Sequence, residues 1–393
     1  MNHLESKKSP FSARDSFKGY LYQCRFALWE SLKKMKDDEE FNVSIETLDD
    51  VVFHQGDSKE ILQTKHSIND SANLNDASPD LWKTIRIWCE GISSGEFNSD
   101  TTFFLITTEK VSDGSTADYI KKRDITTAIK RLNNTAATST NVTNQKAYQA
   151  FKNIPHDEKE MLFNNVFIVD SSPLISDIGS EMMKTIRYAT KRKYLEPLFN
   201  RLEGWWFTRV LEHLTKTKDS IPSKEIDTEI DMLREQFKDD NLPIDRDILN
   251  VTVNKSAYAD RNFVQQLEII ESSNERIFLA VKHYYRAFEH RTRWATDDLF
   301  IPDELDQYED ILVDEWKTGF DRMKEKLGKT AAEEMKKECA RTLYHWIETH
   351  VNEPIRPGVT HPSICKGSYH MLSDKGLVGW HPDFETKLKK LFV

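Results

Sequence analysis

Acidic, amide and basic side chains on two short neighbouring segments give this sequence its strongest chemical signal. The segment Glu46–Asp50 leads into the apolar run Val51–Phe53, and a second strand-like run ends in Gln63–Lys65. Between them, His54–Lys59 contains Gly56 and Asp57, which tolerate positive φ and therefore predict a hairpin turn. Pairing the two strands would bring a carboxylate, an amide oxygen and an ammonium group to one end of a small sheet. That combination is suited to metal-assisted hydrolysis of a phosphodiester.

Hard cations such as Mg²⁺ take oxygen ligands and stabilise the negative charge that develops on an attacked phosphate. Asp50 is the predicted primary ligand, with Asp49 and Glu46 nearby. If this segment is one regular strand, alternation places Asp50 and Glu46 on the face opposite Asp49, so Asp49 and Asp50 would not bind one ion. A bulge or turn at this point would change that arrangement. Gln63 and Lys65 are two residues apart and share a face. We therefore expect Gln63 to offer its amide oxygen to the metal, and Lys65 to position or activate the attacking water.

The same residues also allow structural interpretations. Gln63 and Lys65 could form the solvent face of a half-exposed strand, with Leu62 and Thr64 turned towards the packed face. Gln23, in a predicted amphipathic helix over residues 15–35, points into the site or serves as a structural glutamine. Both interpretations of Gln23 stay open at the level of sequence.

Composition limits the class of protein. A chain of 393 residues predicts two domains, and a net charge of −10 argues against a protein that coats nucleic acid through bulk positive charge. The four cysteines form no close pair, which indicates a reducing compartment. Neither an apolar leader nor a membrane-span pattern is present, so a cytoplasmic location is predicted.

The order of predicted elements indicates an α/β domain followed by a mainly helical one. A second helix is predicted to begin near Leu81, and the apolar runs Thr102–Thr108 and Val166–Asp170 predict strands buried on both faces. Beyond about residue 175 the pattern is helical. We place the domains at residues 1–200 and 201–393, the second being a partner-docking or regulatory domain.

Two features of the later sequence each have two interpretations. A basic cluster on a predicted helix either contacts DNA phosphates or forms a solvated helix face. Its members are Lys184, Arg187, Lys191, Arg192 and Lys193. Trp294 and Trp316, on long predicted helices, either belong to a docking surface or to the core.

The spacing Glu46-x-x-Asp49-Asp50 followed by Gln63-x-Lys65 resembles the PD-(D/E)xK restriction-endonuclease-like superfamily, in the variant with Gln in place of the acidic residue. The resemblance implies that Asp50 and Gln63 are metal ligands, that Lys65 is the catalytic lysine, and that Mg²⁺ (or Mn²⁺) supports cutting of double-stranded DNA. The segment Gly19–Gln23 resembles the opening helix of one branch. That branch supplies DNA-degrading effector domains to antiphage systems, including CBASS effectors that carry a SAVED domain.

The C-terminal tail carries a second signal. Cys365, His370 and His381 are zinc-ligand types, but their irregular spacing favours structural roles. The tetrapeptides Gly367–His370 and Gly379–Pro382 resemble the C-terminal domain of ABC-three-component system proteins, the group that contains the Lamassu antiphage systems.

The tail resemblance implies two partners, an SMC-like ATPase and a small helical accessory subunit. The sequence contains no P-loop motif, so ATP hydrolysis would fall to a partner. We expect a nuclease held inactive by the SMC-like complex, released on sensing foreign DNA, and active as a homo-oligomer. The alternative is a non-catalytic interaction subunit of the same complex.

Overall fold

A computed structural model describes residues 13–37, 40–46, 50–65, 73–328 and 330–391. The chain forms two compact units. The first contains the described residues up to Ala189 together with residues 199–231, and the second contains residues 190–198 and those from 232 onward. The strands are β1 (Asn42–Ile45), β2 (Val51–Gln55), β3 (Ser58–Lys65), β4 (Asn73–Leu74), β5 (Thr101–Thr107), β6 (Lys110–Val111), β7 (Val166–Val169) and β8 (Ile221–Pro222).

The helices follow the predicted order of an α/β part and then a helical part. They are α1 (Ala13–Lys34), α2 (Pro79–Ser94), α3 (Thr116–Lys121), α4 (Ile125–Thr138), α5 (Gln145–Asn153), α6 (His156–Asn164), α7 (Ile175–Thr185), α8 (Leu195–Leu214), α9 (Ser223–Gln236), α10 (Arg246–Asn250), α11 (Asn262–Ile269), α12 (Asn274–Thr296), α13 (Glu304–Leu327), α14 (Glu333–His350), α15 (Pro362–Asp374) and α16 (Phe384–Leu391). The predicted boundary at residue 200 lies inside α8. Among the described residues, no helix combines the length and apolarity needed to cross a bilayer.

The first unit is built on a six-stranded mixed sheet with the order β7-β5-β3-β2-β1-β8. β1, β2 and β3 form an antiparallel meander, and β5 and β7 continue the sheet parallel to β3. The turn between β2 and β3 contains Gly56 at φ +59°, a conformation that glycine adopts without a Cβ penalty. The predicted hairpin is therefore confirmed, and it fixes which residues of β3 lie opposite β2.

One face of the sheet is packed by α2, and this packing holds the ends of β2 and β3 in place. Ile61, Phe103 and Leu105 on that face share a core cluster with Trp88 of α2. α2, predicted to begin near Leu81, begins with Pro79 in its first turn, because proline fixes a helical φ and has no N–H to leave unsatisfied.

β7 differs from the prediction of a strand buried on both faces. Phe167 and Val169 are 41% and 44% exposed, because β7 is the terminal strand of the sheet as described and only its other face contacts the core. Arg123 donates hydrogen bonds to the carbonyl oxygens of Val166 (2.8 Å) and Asn164. A charged side chain thus occupies main-chain acceptors at this edge, a common protection against strand addition.

The second unit is helical and has its own core. Trp294 is fully buried and Trp316 is 7% exposed, so both belong to the core and not to a docking surface. α12 and α15 cross closely at Gly367, where an added Cβ would lie 2.1 Å from the carbonyl oxygen of His283. The tail of this unit forms two further helices, α15 and α16.

A glycine of α2 offers a test of the packing beneath the sheet. An added Cβ at Gly91 would lie 2.2 Å from ring atoms of Phe97, which is itself buried. We expect Gly91→Ala to lower the free energy of unfolding by about 1–3 kcal/mol through overpacking. The matched control is Gly204→Ala in α8 of the same unit. It meets no atom within 4 Å and should raise stability by up to about 1 kcal/mol. Equal effects of the two substitutions in urea denaturation would contradict this packing.

Candidate functional site

β1 ends at Ile45 and β2 begins at Val51, so no single regular strand runs through the acidic residues. Ile45 of β1 pairs with Val51 of β2, and the Glu46 amide donates to the Asp50 carbonyl oxygen at 3.1 Å. Glu46 has φ +54°, so the strand has already ended at this residue. Glu46 and Asp50 therefore lie opposite each other at the neck of the hairpin. Asp49 lies outside the described residues.

Asp50 is held in place by the strand that carries the other predicted site residues. Its Oδ2 atom accepts hydrogen bonds from the Thr64 amide at 2.7 Å and from the Thr64 hydroxyl at 2.8 Å. Thr64 was expected to turn towards the packed face, but its hydroxyl binds Asp50 instead. Thr64 stands between Gln63 and Lys65 in the chain, so these two bonds anchor the carboxylate to the strand end that carries both predicted partners.

Gln63 supplies an unusual group to this end of the sheet. Val51 pairs with Leu62, so continuing the register by one residue places Asp50 opposite Gln63. The Gln63 side chain is only 3% exposed, and its Oε1 atom is buried without a hydrogen-bond partner in the described part of the chain. A buried, unsatisfied carbonyl oxygen costs about 1–3 kcal/mol, so its retention calls for a ligand or a functional reason.

Gln23 of α1 belongs to the same group of residues. Its side chain hydrogen-bonds to the Glu46 carboxylate, and its Oε1 atom is likewise buried with no hydrogen-bond partner within the described ranges. Of the two interpretations left open by the sequence, the structure supports the one in which Gln23 points into the site. The site therefore has two buried amide oxygens near two carboxylates.

The electrostatics of Glu46 show which charges converge here. Partial desolvation raises the pKa of the Glu46 carboxyl, and the neighbouring Asp50 carboxylate raises it further. The Gln23 hydrogen bond, Lys83 and Lys65 act in the opposite direction without reversing the shift. Asp50, Lys65 and Lys83 thus lie within electrostatic reach of one carboxylate, although they come from three different elements.

This donor set fits a divalent oxygen-preferring cation. Asp50 and Glu46 supply carboxylates that repel each other, and Gln63 and Gln23 supply buried carbonyl oxygens that have no partner among the residues described. Mg²⁺ and Mn²⁺ take such hard oxygen ligands, and a cation would relieve both the repulsion and the unsatisfied acceptors. Lys65, half-buried at the end of β3, adds the ammonium group that hydrolysis of a phosphodiester uses.

The predicted basic cluster does not lie on one helix. Lys184 is in the last turn of α7 and Arg187 follows the helix, while Lys191, Arg192 and Lys193 belong to the second unit. Lys184 donates to Glu181 at 2.6 Å, and Lys191 is paired with Asp239 at 2.5 Å. These two carboxylates neutralise part of the positive charge of the cluster.

The histidines and cysteine of the tail are separated in the structure and do not form a zinc site. His370 is fully buried between the Phe263 and Tyr344 rings, and this burial lowers its pKa to about 3. Cys365 is buried, with its thiol 3.9 Å from the carbonyl oxygen of Val351. Neither residue lies in the one His/Cys/Asp/Glu group of metal-binding size found within the described residues.

That group consists of Glu333, His381 and Asp383. Ion pairs with lysines, and not a metal ion, explain why its two carboxylates lie close together. Lys387 is 2.5 Å from Glu333, and Lys336 is 2.8 Å from Asp383. The Asp383 amide donates to Nδ1 of His381 at 3.1 Å. The other ring nitrogen, Nε2, lies 3.3 Å from the Glu333 carboxylate that Lys387 already neutralises.

Residues 263–388 match the family model of C-terminal domain 7 of the ABC-three-component (ABC-3C) systems. This match confirms the resemblance seen in the tail and supports membership of that antiphage system family. ABC-three-component systems are multi-component assemblies. Among curated proteins, none matches the chain.

Solved structures of an Acinetobacter baumannii Cap4 SAVED/CARF-domain containing receptor are similar to this chain at 14% identity. They include complexes with the cyclic trinucleotides 2'3'3'-cAAA and 3'3'3'-cAAA. The TM-scores are 0.31 to 0.32, over 71–72% of this chain. The chain spans 58–61% of the length of those receptors. TM-scores this low do not establish a shared fold.

Sequence reasoning missed Thr64 and Lys83. Thr64 carried a usable signal, because a hydroxyl at a strand end next to two predicted site residues can bond a neighbouring carboxylate. Lys83 gave no such signal, since one exposed lysine on an amphipathic helix is typical of any solvent face. Only the packing of α2 on the sheet brings Lys83 within reach of Glu46.

The unsatisfied oxygen of Gln63 makes a stability test possible without any assay of activity. In the absence of divalent metal, we expect Gln63→Met to leave the free energy of unfolding unchanged or to raise it by up to about 1 kcal/mol, because it removes a buried acceptor that lacks a partner. The measurement is urea denaturation in the presence of a chelator.

Gln266→Met is the matched control, since Gln266 is equally buried but fully bonded. It donates to the carbonyl oxygens of Ser373 and Val378 and accepts from the Trp380 amide. This substitution should cost about 2 kcal/mol or more. A loss at Gln63→Met as large as that at Gln266→Met would mean that Gln63 is an ordinary structural glutamine.

Proposed function

We propose that this protein is a Mg²⁺- or Mn²⁺-dependent endodeoxyribonuclease, the effector subunit of an antiphage ABC-three-component system. The observation that carries the proposal is the buried, unsatisfied Oε1 atom of Gln63, next in the chain to the Thr64 that anchors the Asp50 carboxylate. If this end of the sheet were only structural, an acceptor without a partner would add nothing to its stability. A cation bound there needs free oxygen ligands of this kind.

The roles of the chain's own residues follow from their positions. Asp50 and Gln63 would hold the cation, with Glu46 as the third oxygen donor and Gln23 beside it. When bound, the cation would neutralise the charge that develops on the attacked phosphate. Lys65 orients the attacking water and stabilises the pentavalent phosphate by its positive charge, and Thr64 keeps the Asp50 carboxylate in place.

The element order supports the restriction-endonuclease-like part of this proposal. A helix precedes an antiparallel meander, and a second helix then leads to a strand parallel to β3. The proposed site lies at the end of the meander, where the loop after β1 meets the end of β3. This arrangement puts the predicted QxK segment opposite the acidic segment, as the resemblance requires.

The match in the second unit supports the system in which the nuclease would act. A C-terminal domain of ABC-three-component systems, together with a sequence that contains no P-loop motif, fits an effector whose ATP hydrolysis comes from an SMC-like partner. We propose a Lamassu-type assembly with a small helical third subunit. The complex keeps the nuclease inactive until foreign DNA is sensed, and homo-oligomerisation then lets two sites cut both strands of a duplex.

Cleavage of supercoiled plasmid in Mg²⁺ tests the proposal. We expect the wild-type chain to convert plasmid to linear and shorter DNA, alone or with the partner subunits encoded beside it, and expect Lys65→Ala to lower the rate at least about 100-fold. The control is Lys130→Ala, an exposed lysine of α4 in the same unit, which should cut at the wild-type rate.

Three outcomes separate the alternatives. Equal cutting by wild type and Lys65→Ala would refute the assigned site. Cutting of RNA but not DNA would keep the site and change the substrate. Absence of cutting under every condition, partners included, would favour the non-catalytic interaction subunit.

A further inference from the structure

Basic side chains gather where α12 passes the start of α15 in the second unit. Gly367 lets the two helices approach closely, because an added Cβ would meet the His283 carbonyl oxygen and the Ala287 side chain. Five basic groups lie around this crossing, all half-buried and therefore within reach of solvent. They are Lys282, His283, Arg286, His361 and Lys366, which we call the α12–α15 cationic cluster.

Hydrogen bonds hold the centre of the cluster together. Ser363 is buried, and its hydroxyl lies 3.0 Å from Nδ1 of His283 and 3.4 Å from Nη1 of Arg286. Arg286 also donates from Nη2 to the Leu249 carbonyl oxygen. The Nε atom of Arg286 is buried and has no partner in the part of the chain that is described. The guanidinium group is thus fixed by neutral acceptors alone.

No carboxylate compensates this charge within the described residues. Lys282, Arg286 and Lys366 take part in none of the ion pairs found there, although pairs are abundant elsewhere in the second unit. The pKa of Arg286 is lowered by desolvation, and that of His361 by desolvation and then by Arg286. The pKa of His283 falls to about 4, first through burial and then through Lys366 and Arg286. Such mutual repulsion, in a chain of net charge −10, marks a position that favours an anion.

We propose that the α12–α15 cationic cluster binds a phosphate group, as a site separate from the proposed nuclease centre. Lys282, Arg286 and Lys366 supply three fixed positive charges. A phosphate monoester carries about −1.5 to −2 charges and three acceptor oxygens, so it matches this set better than a single carboxylate does.

Binding must come from side chains and not from the start of α15. Pro362 has no N–H, the Ser363 amide is bonded to Nδ1 of His361, and the Ile364 amide is bonded to the His361 carbonyl oxygen. Lys366 and the guanidinium of Arg286 are then the principal donors. His361 and His283 line the site as neutral imidazoles at pH 7.

Thermal unfolding of the full chain in inorganic phosphate tests the site. At matched ionic strength and pH 7.5, millimolar phosphate should raise the Tm of the wild type by about 2 °C or more relative to acetate. Lys366→Gln should abolish the rise, and so should Arg286→Gln if that variant folds. The control is Lys317→Gln, an exposed lysine of α13 in the same unit, which should keep the full shift.

Two results would overturn the proposal. One is a phosphate shift that is absent, or equal in Lys366→Gln and wild type. The other is a Lys366-dependent interaction with a DNA duplex lacking terminal phosphates but no response to free phosphate, which would assign the cluster to a nucleic-acid backbone. Loss of plasmid cleavage in Lys65→Ala bears on neither result, because Lys65 lies in the other unit.

Discussion

Two hydrogen bonds from Thr64 to one carboxylate oxygen of Asp50 join the loop after β1 to the end of β3, and the candidate site depends on them. They anchor an acidic residue to the strand end that carries Gln63 and Lys65, although the chain between Asp50 and Thr64 makes a complete hairpin. Glu46 follows from the same geometry, because the β1–β2 register puts it opposite Asp50. Without the Thr64 bonds, the Asp50 carboxylate would lose two hydrogen bonds that tie it to β3.

Buried hydrogen-bond acceptors in proteins normally have a partner, and this end of the sheet departs from that rule. The Gly56 turn and the packing of α2 on the sheet follow the ordinary rules of stability. Gln63 and Gln23 depart from them, and at Gln63 a methionine or leucine of similar volume would pack without an unsatisfied oxygen. Departures of this kind are expected where binding or catalysis, and not stability, decides the residue. The α12–α15 cationic cluster of the second unit is a similar departure, because its positive charges have no compensating carboxylate among the described residues.

The sequence predicts the features that residues close together in the chain determine, and it fails where contacts between distant segments decide. The α1 pattern, the β2–β3 hairpin and the start of α2 are set by neighbouring residues, and all three are confirmed. The end of β1 before Glu46 stayed open at the level of sequence, because acidic residues serve equally in strands and turns and a period of two could not show where β1 ends. The bounds of α15 could not be assigned within the predicted helical region, because Gly, Ser and His lower its helix propensity. Its close crossing with α12 needs that glycine. Gln23 and Lys83 could not be assigned, since only tertiary packing brings α1 and α2 to Glu46.

Iron-directed cleavage of the polypeptide tests the central claim, that the end of β3 binds a divalent cation. Fe²⁺ substitutes for Mg²⁺ at oxygen sites, and with ascorbate and peroxide it cuts the main chain next to where it is bound. The account predicts cuts near residues 46–50 and 63–65 that excess Mg²⁺ suppresses and that Asp50→Asn removes. Cuts confined to the neighbourhood of Glu333, His381 and Asp383, or cuts at the sheet end that persist in Asp50→Asn, would contradict it.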